Sequence, residues 1–245
     1  MVYLPQGQDN SNPAPAFTGI LVLTGTPNST SSTSTTWTVP SGVDTIYVTG
    51  VGPGGVTASG NGNGGGAGVI NYPISVTPGH SLTITAGGSG ASQSATSGAS
   101  TTIVDTTSST TLLTLESGGC AGTYSTNGGS VIVNGTTIAA GGAGSSSTNT
   151  NGGNGQVVTG ISNGISYIAA GGGGGGYSNG STASNGGNCN TYVGSSSYDN
   201  FAGSGASLFT NGVGYNGSID NNYGAGITGY NNDYGTTSFI IIQWI

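Results

Sequence analysis

Short apolar runs that end in glycine, with no helical periodicity, organise this chain. "FTGILVLTG", from Phe17, is a strand-sized apolar run, and a Ser/Thr-rich loop follows it. "TWTVPSGVDTIYVTGVG" reads as two short β segments around a Pro40-Ser41-Gly42 turn, and "VINYPISVTPGHSLTITAGG" repeats that plan around Pro78-Gly79. "STTIVDTTSSTTLLTLESGG" adds another pair. Two further hairpins carry Asn-Gly, the strongest short-range turn signal: "SVIVNGTTIAAGG" at Asn134-Gly135 and "VVTGISNGISYIAAGG" at Asn163-Gly164. Residues 1–16 are rich in Pro, Asn and Gln and lack a hydrophobic period, so they read as an arm or connector.

Aligned on the Asn-Gly turns, the sequence repeats itself. Ile138-Ala139-Ala140-Gly141-Gly142 recurs as Ile168-Ala169-Ala170-Gly171-Gly172, with weaker copies in "ITAGGSG" and "LESGGCAG". Each unit is a strand that runs into glycine, and no single hairpin can bury its own apolar face, so the units are expected to stack around a shared core. The longest glycine stretch, Gly171, Gly172, Gly173, Gly174, Gly175 and Gly176, belongs to this series. Without side chains, such segments fit an extended threefold conformation of the polyproline-II type. That conformation has no internal hydrogen bonds and is stable only when neighbouring segments satisfy its backbone. The expected fold is therefore all-β, a hairpin and sandwich framework with packed polyglycine-II-like segments and no helices of note. Its divisions are an arm at 1–16, a strand-rich half at 17–170, a Gly/Asn/Tyr-rich half at 171–237 and a closing strand at 238–245.

Composition narrows the function. Glycine supplies 52 of 245 residues and charged residues only 3%, against averages of about 7% and about 25%. Lys and Arg are absent and the formal charge is −7, so the counterion release that drives nucleic-acid binding has no source, and anionic lipid surfaces repel the chain. Trypsin-like proteases have no site. No stretch approaches the ~20 apolar residues of a membrane span, and the start, "MVYLPQGQDNSNPAP", lacks the basic and apolar regions of a secretory signal. The expectation is a protein made in a host cytoplasm and exposed outside the cell after release.

Most chemical motifs dissolve on inspection. "GVGPGG" at Gly50–Gly55 matches a dinucleotide fingerprint, but the "VTASGNGNGGGAG" that follows cannot open the helix such a site needs. His80, the sole imidazole, follows the Pro78-Gly79 turn and reads as an exposed loop residue. The carboxylates Asp9, Asp44, Asp105, Glu116, Asp199, Asp220 and Asp233 are scattered. Asp220 and Asp233 share one segment, so a glycosidase pair is conceivable, but proteins that merely bind carry such residues too. The same pair with Asn221, Asn222, Asn231 and Asn232 could hold calcium, but no regular loop spacing supports it and a solvated Asn-rich turn fits better. No enzyme, cofactor or metal site is expected. Cys120 and Cys189 allow one disulfide or two inert thiols, and both readings stay open. The distinctive chemistry is aromatic: in "GYNGSIDNNYGAGITGYNNDYG", Tyr215, Tyr223, Tyr230 and Tyr234 alternate with Asn, Gly, Asp220 and Asp233. Rigid amphipathic rings beside adaptable amides make recognition surfaces, and equally make a lid over a glycine layer. Tyr192, Tyr198, Phe201 and Phe209 lie just upstream.

Trp37-Thr38-Val39-Pro40-Ser41-Gly42-Val43, with Val48 and "GVGPGG", resembles the opening motif of the glycine-rich domain of bacteriophage tail-fibre and adhesin proteins and related viral surface proteins. Ile74-Ser75-Val76-Thr77-Pro78-Gly79, Leu82-Thr83-Ile84-Thr85 and Gly87-Gly88 are similar to its second motif, and "FIIIQWI" to its closing strand. The chain departs from the family in lacking basic residues and in carrying Asn, Ser and Thr where longer glycine tracts are usual. The resemblance implies strands framing packed glycine segments, variable loops at one end that contact a host surface, and multimerisation on a fibre. On that basis the expected protein lies on a virion surface or at a fibre tip. It would bind a host glycan or outer-membrane protein through Tyr215, Asp220, Tyr223, Tyr230, Asp233 and Tyr234, and join a fibre or capsid neighbour through residues 1–16. The alternative is a self-assembling filament or capsid-decoration subunit; a homo-oligomer suits either.

Overall fold

The computed structural model describes residues 17–57, 62–91, 97–120, 126–145, 150–159, 167–175, 185–195, 204–212, 223–228 and 235–245. Among them there is no helix; the chain forms two six-stranded antiparallel sheets. The first sheet holds, from edge to edge, β1 (Gly19–Thr24), β14 (Phe239–Trp244), β3 (Thr45–Val51), β5 (Gly68–Ser75), β12 (Tyr167–Ala169) and β11 (Val157–Thr159). The second runs β10 (Thr136–Ala139), β9 (Val131–Val133), β8 (Thr110–Leu115), β7 (Thr101–Asp105), β6 (Ser81–Ala86) and β2 (Thr33–Thr38). The described residues also form a two-residue parallel pair, β4 (Val56–Thr57) with β13 (Ile227–Thr228).

Alternation decides which side chains face inward. In β3, Ile46 and Val48 are buried while Thr45, Tyr47 and Thr49 are partly exposed; β6 buries Leu82, Ile84 and Ala86, and β14 buries Ile240 and Ile242. These residues meet Ile103, Leu113, Leu115 and Val131 of the opposite sheet in one core, each fully buried aliphatic stabilising the fold by about 1.5–3 kcal/mol. Trp37 and Trp244 stack across the end of the sandwich with ring centroids 4.8 Å apart.

The two proline turns do not close hairpins. β2 pairs with β6 and β3 with β5, so each turn carries the chain from one sheet to the other. Proline has no N–H to continue a ladder. The two turns instead lie side by side, with the Val39 N–H donating to the His80 carbonyl and the Gly79 N–H to that of Val39, both at 2.9 Å. At Asn134-Gly135 the hairpin between β9 and β10 does form, with φ of 47° and 76° as a type I′ turn requires. β11 and β12 also pair, while Asn163-Gly164 lies outside the described residues.

At one end of the sandwich the strands continue as glycine rods. Rod 62–67 shows the rule. The N–H groups of Gly64, Gly65 and Gly66 donate to three different segments, at Gly119, Gly172 and Gly224; that of Ala67 then returns to the first segment, at Glu116. Three residues per turn is the polyproline-II repeat. The carbonyls of Asn63, Gly64 and Gly65 accept from Gly205, Gly55 and Gly129, so six neighbouring rods surround this one. Rod 171–175 is equally enclosed. Its N–H groups from Gly171 to Gly174 donate to Gly129, Ala206, Gly153 and Thr126, and its carbonyls from Gly171 to Gly175 accept from Gly142, Gly65, Gly187, Ser145 and Gly62. Gly171–Gly175 are all buried; Gly176 lies outside the described residues.

Candidate functional site

Strand register gives the molecule two unlike ends. Gly19 faces Trp244, Trp244 faces Ile46 and Thr45 faces Ser75, so the ends of these strands lie together at the base, beside the turns at 40–43, 77–80 and 106–109. Phe17 and Ile245, which flank the paired ends of β1 and β14, are at this base. Val51, Gly68, Ala86, Thr101, Leu115, Val131, Ala139, Ala169 and Phe239 mark the opposite end, from which every rod leaves or returns. The chain leaves the far ends of the rods at Thr57, Ala91, Cys120, Ser145, Gly175, Ser195 and Thr228. It returns at Gly62, Ser97, Thr126, Thr150, Asn185, Ser204 and Gly235, and the stretches between lie outside the described residues.

Of the six residues expected to contact a receptor, Tyr223 alone is described; Tyr215, Asp220, Tyr230, Asp233 and Tyr234 lie outside the described residues. Tyr223 is half-buried. Its ring meets Phe239 edge-on at 5.1 Å, and Phe209 meets the same Phe239 at 4.9 Å. The Tyr223 carbonyl accepts from the Ser207 hydroxyl at 2.6 Å. This ring therefore covers the junction between the rods and β14, which is the lid position. Tyr192 and Phe209 are likewise packed against Ala169, Cys189, Ala206 and Leu208, while Tyr198 and Phe201 lie outside the described residues.

Cys120 and Cys189 are buried free thiols in separate apolar clusters, so the disulfide reading fails. The Cys120 sulfur accepts the Val56 N–H at 3.1 Å, and burial pushes its pKa up. Burial pushes the Cys189 thiol to about 12. A neutral, enclosed thiol is a poor nucleophile and serves here as a small packing group.

At the base His80 is not an isolated loop residue. Its Nδ1 lies 2.7 Å from Asp105 Oδ2, because the β6–β7 ladder sets Leu82 opposite Asp105. The other oxygen, Oδ1, accepts the N–H groups of Thr107 and Ser108 at 2.9 and 3.1 Å. Burial alone would raise the Asp105 pKa; the hydrogen bonds from His80 and Ser108, with the His80 charge, outweigh it and hold the carboxyl at about 2. This pairing depends on register between strands, which no local motif announces.

Where a rod lacks a neighbour, side-chain amides stand in. Asn151 and Asn154, three residues apart and so on one face of their rod, accept through Oδ1 from the N–H groups of Asn185 and Asn188 at 2.8 and 2.9 Å. Asn127 accepts likewise from Gly144 at 2.8 Å and Gln156 from Ala140 at 3.0 Å. The Asn-rich composition is thus partly structural: these amides complete rods that the glycines alone leave without a neighbour.

Residues 29–239 match the family described as the glycine-rich domain, a span that holds every rod and every strand except β1 and most of β14. No curated protein matches the chain.

Proposed function

We propose that this chain, which belongs to the glycine-rich domain family, is a viral surface or fibre-tip protein that attaches a particle to a host-surface receptor, glycan or outer-membrane protein. The observation that carries the reading is the polarity of the fold. Residue 17 is at the base, where residues 1–16 would join a fibre or capsid neighbour, and the rods point the other way. The stretches joining the far ends of the rods contain Tyr124, Tyr177, Tyr198, Tyr230 and Tyr234. A glycine body has few side chains with which to discriminate, so recognition falls to these stretches. Purified chain added before infection should compete with particles for adsorption to host cells; adsorption unchanged at saturating protein would overturn the reading.

One observation favours structural self-assembly instead. Edge strand β1 carries Ile20 and Val22 exposed by 60% and 54%, and the chain has no lysine to blunt the edge. Electron microscopy separates the two readings. Filaments formed by the purified chain support assembly, and discrete particles support attachment.

A further inference from the structure

In the rod bundle a solvent-open groove of about 530 Å³ lies between the segment ending at Ser100 and the rods 116–119 and 126–128, and none of its lining residues belongs to the base turns or to the aromatic lid. Ser100, Glu116, Ser117, Thr126 and Asn127 line it above a floor of glycine backbone. Its volume falls within the roughly 300–1,000 Å³ of small-molecule sites. We propose that this groove binds a neutral saccharide.

The polar groups have fixed positions and spare capacity. Glu116, the sole glutamate of the chain, is held through Oε2, which accepts the Ser130 N–H at 3.1 Å, and through its backbone, which bonds Ser130 and Ala67. Its Oε1 has no partner among the described residues. Asn127 is held through Oδ1 by Gly144, leaving its two N–H donors facing no described acceptor. The hydroxyls of Ser100 and Ser117 are equally uncommitted among the described residues, whereas Thr126 accepts from Gly64 and donates to Gly119, fixing the floor. The site thus offers one strong acceptor, one double donor and two groups that do both.

Elimination by chemistry gives the ligand class. With no Lys or Arg and a charge of −7, nothing neutralises a phosphate, sulfate or carboxylate. A hard divalent cation would find only one carboxylate to balance its charge here, no group of three His, Cys, Asp or Glu side chains that could hold a metal occurs among the described residues, and calcium is the competing ligand that the test includes. The lining lacks the apolar side chains a lipid needs. A neutral polyol remains: ring hydroxyls match the mixed donors and acceptors, and the C–H face of a sugar can lie on the Cα–H surface of Gly119 and Gly128.

The inference does not depend on the attachment reading, and its test uses no host cell. Amide spectra of the full chain are recorded during titration with the methyl glycosides of glucose, galactose, mannose and N-acetylglucosamine, and separately with calcium chloride. Saturable shifts at Ser117, Gly119 and Asn127 with at least one glycoside are expected. Glu116→Gln keeps an oxygen for Ser130 and loses the free acceptor, so affinity should fall about tenfold with the spectrum otherwise intact. Three results would each overturn the proposal: no glycoside shifts these amides, Glu116→Gln binds as tightly as the parent, or calcium alone produces the shifts.

Discussion

A Cβ at Gly173 would overlap the carbonyl oxygen of Ala143, and one at Gly65 that of Ala206. Backbone with hydrogen bonds on every side cannot retreat as a flexible side chain would, so Gly173→Val should destabilise the fold by about 3 kcal/mol or more. Gly42→Ala is the control. It meets nothing within 4 Å and carries only the strain of its φ of 86°, so it should cost about 1 kcal/mol. Chemical denaturation of the two variants checks the order; equal losses would mean the rods are loosely packed. Asp105 predicts a pH dependence of definite sign. Its pKa is about 2 when folded and about 3.9 when unfolded, so between those values the unfolded state holds more protons and stability rises with pH. The contribution is complete above about pH 4 and lost as pH falls through about 2. Asp105→Asn should flatten the stability curve in that window; curves of parent and variant that stay parallel would remove Asp105 as the cause. Neither residue announced its role in the sequence. The glycine run was visible, but its partners are set by packing between distant segments, and His80 meets Asp105 only through the register of two strands.

Strands were legible because half-buried sheets impose alternation, and the Asn134-Gly135 hairpin because only a few residues accept positive φ twice in succession. Pairing was less legible at the proline turns. Pro40 and Pro78 mark a break in the ladder, and whether the chain then folds back or crosses to another sheet depends on the opposing core, which local sequence does not contain. Rods are harder still. Most residues of a threefold rod face backbone, so glycine satisfies these positions alike and no periodic pattern encodes which rod lies beside which. The exceptions are the amide side chains, whose three-residue spacing at Asn151 and Asn154 matches the rod repeat. Asn154→Ala removes the acceptor of the Asn188 N–H and should cost about 1 kcal/mol, the net worth of one hydrogen bond. Asn154→Asp keeps an acceptor and should cost less. Faster hydrogen exchange at the Asn188 amide in the alanine variant alone is the expected signature, and equal protection in both variants would show that the amide does not substitute for a rod.

At the scale of the molecule, the sandwich forms the base and the rod bundle continues from its opposite end, and the attachment reading proposed above would assign anchoring to the first and contact to the second. The two apolar Trp rings close the base, and the rods add length without side-chain bulk, so the stretches joining their far ends can vary without disturbing the core. That separation gives different expectations for tyrosines that look alike in sequence. Tyr223 meets Phe239 edge-on, sixteen positions away, a contact that no local pattern reveals. Its replacement by Ala should lower stability by about 1–3 kcal/mol, from lost ring burial and one edge-to-face pair, and under the proposed attachment function the folded fraction should adsorb to host cells as the parent does. Tyr230 lies between Thr228, where the chain leaves the far end, and Gly235, where it returns. If the far end carries recognition, Tyr230→Ala should leave the denaturation midpoint unchanged and weaken binding by about 2 kcal/mol, roughly thirtyfold, as expected of an aromatic anchor. Melting curves and adsorption assays on both variants separate the roles. Reversed results, with Tyr230 governing stability and Tyr223 governing adsorption, would move the contact surface from the rod ends to the junction of the rods with β14.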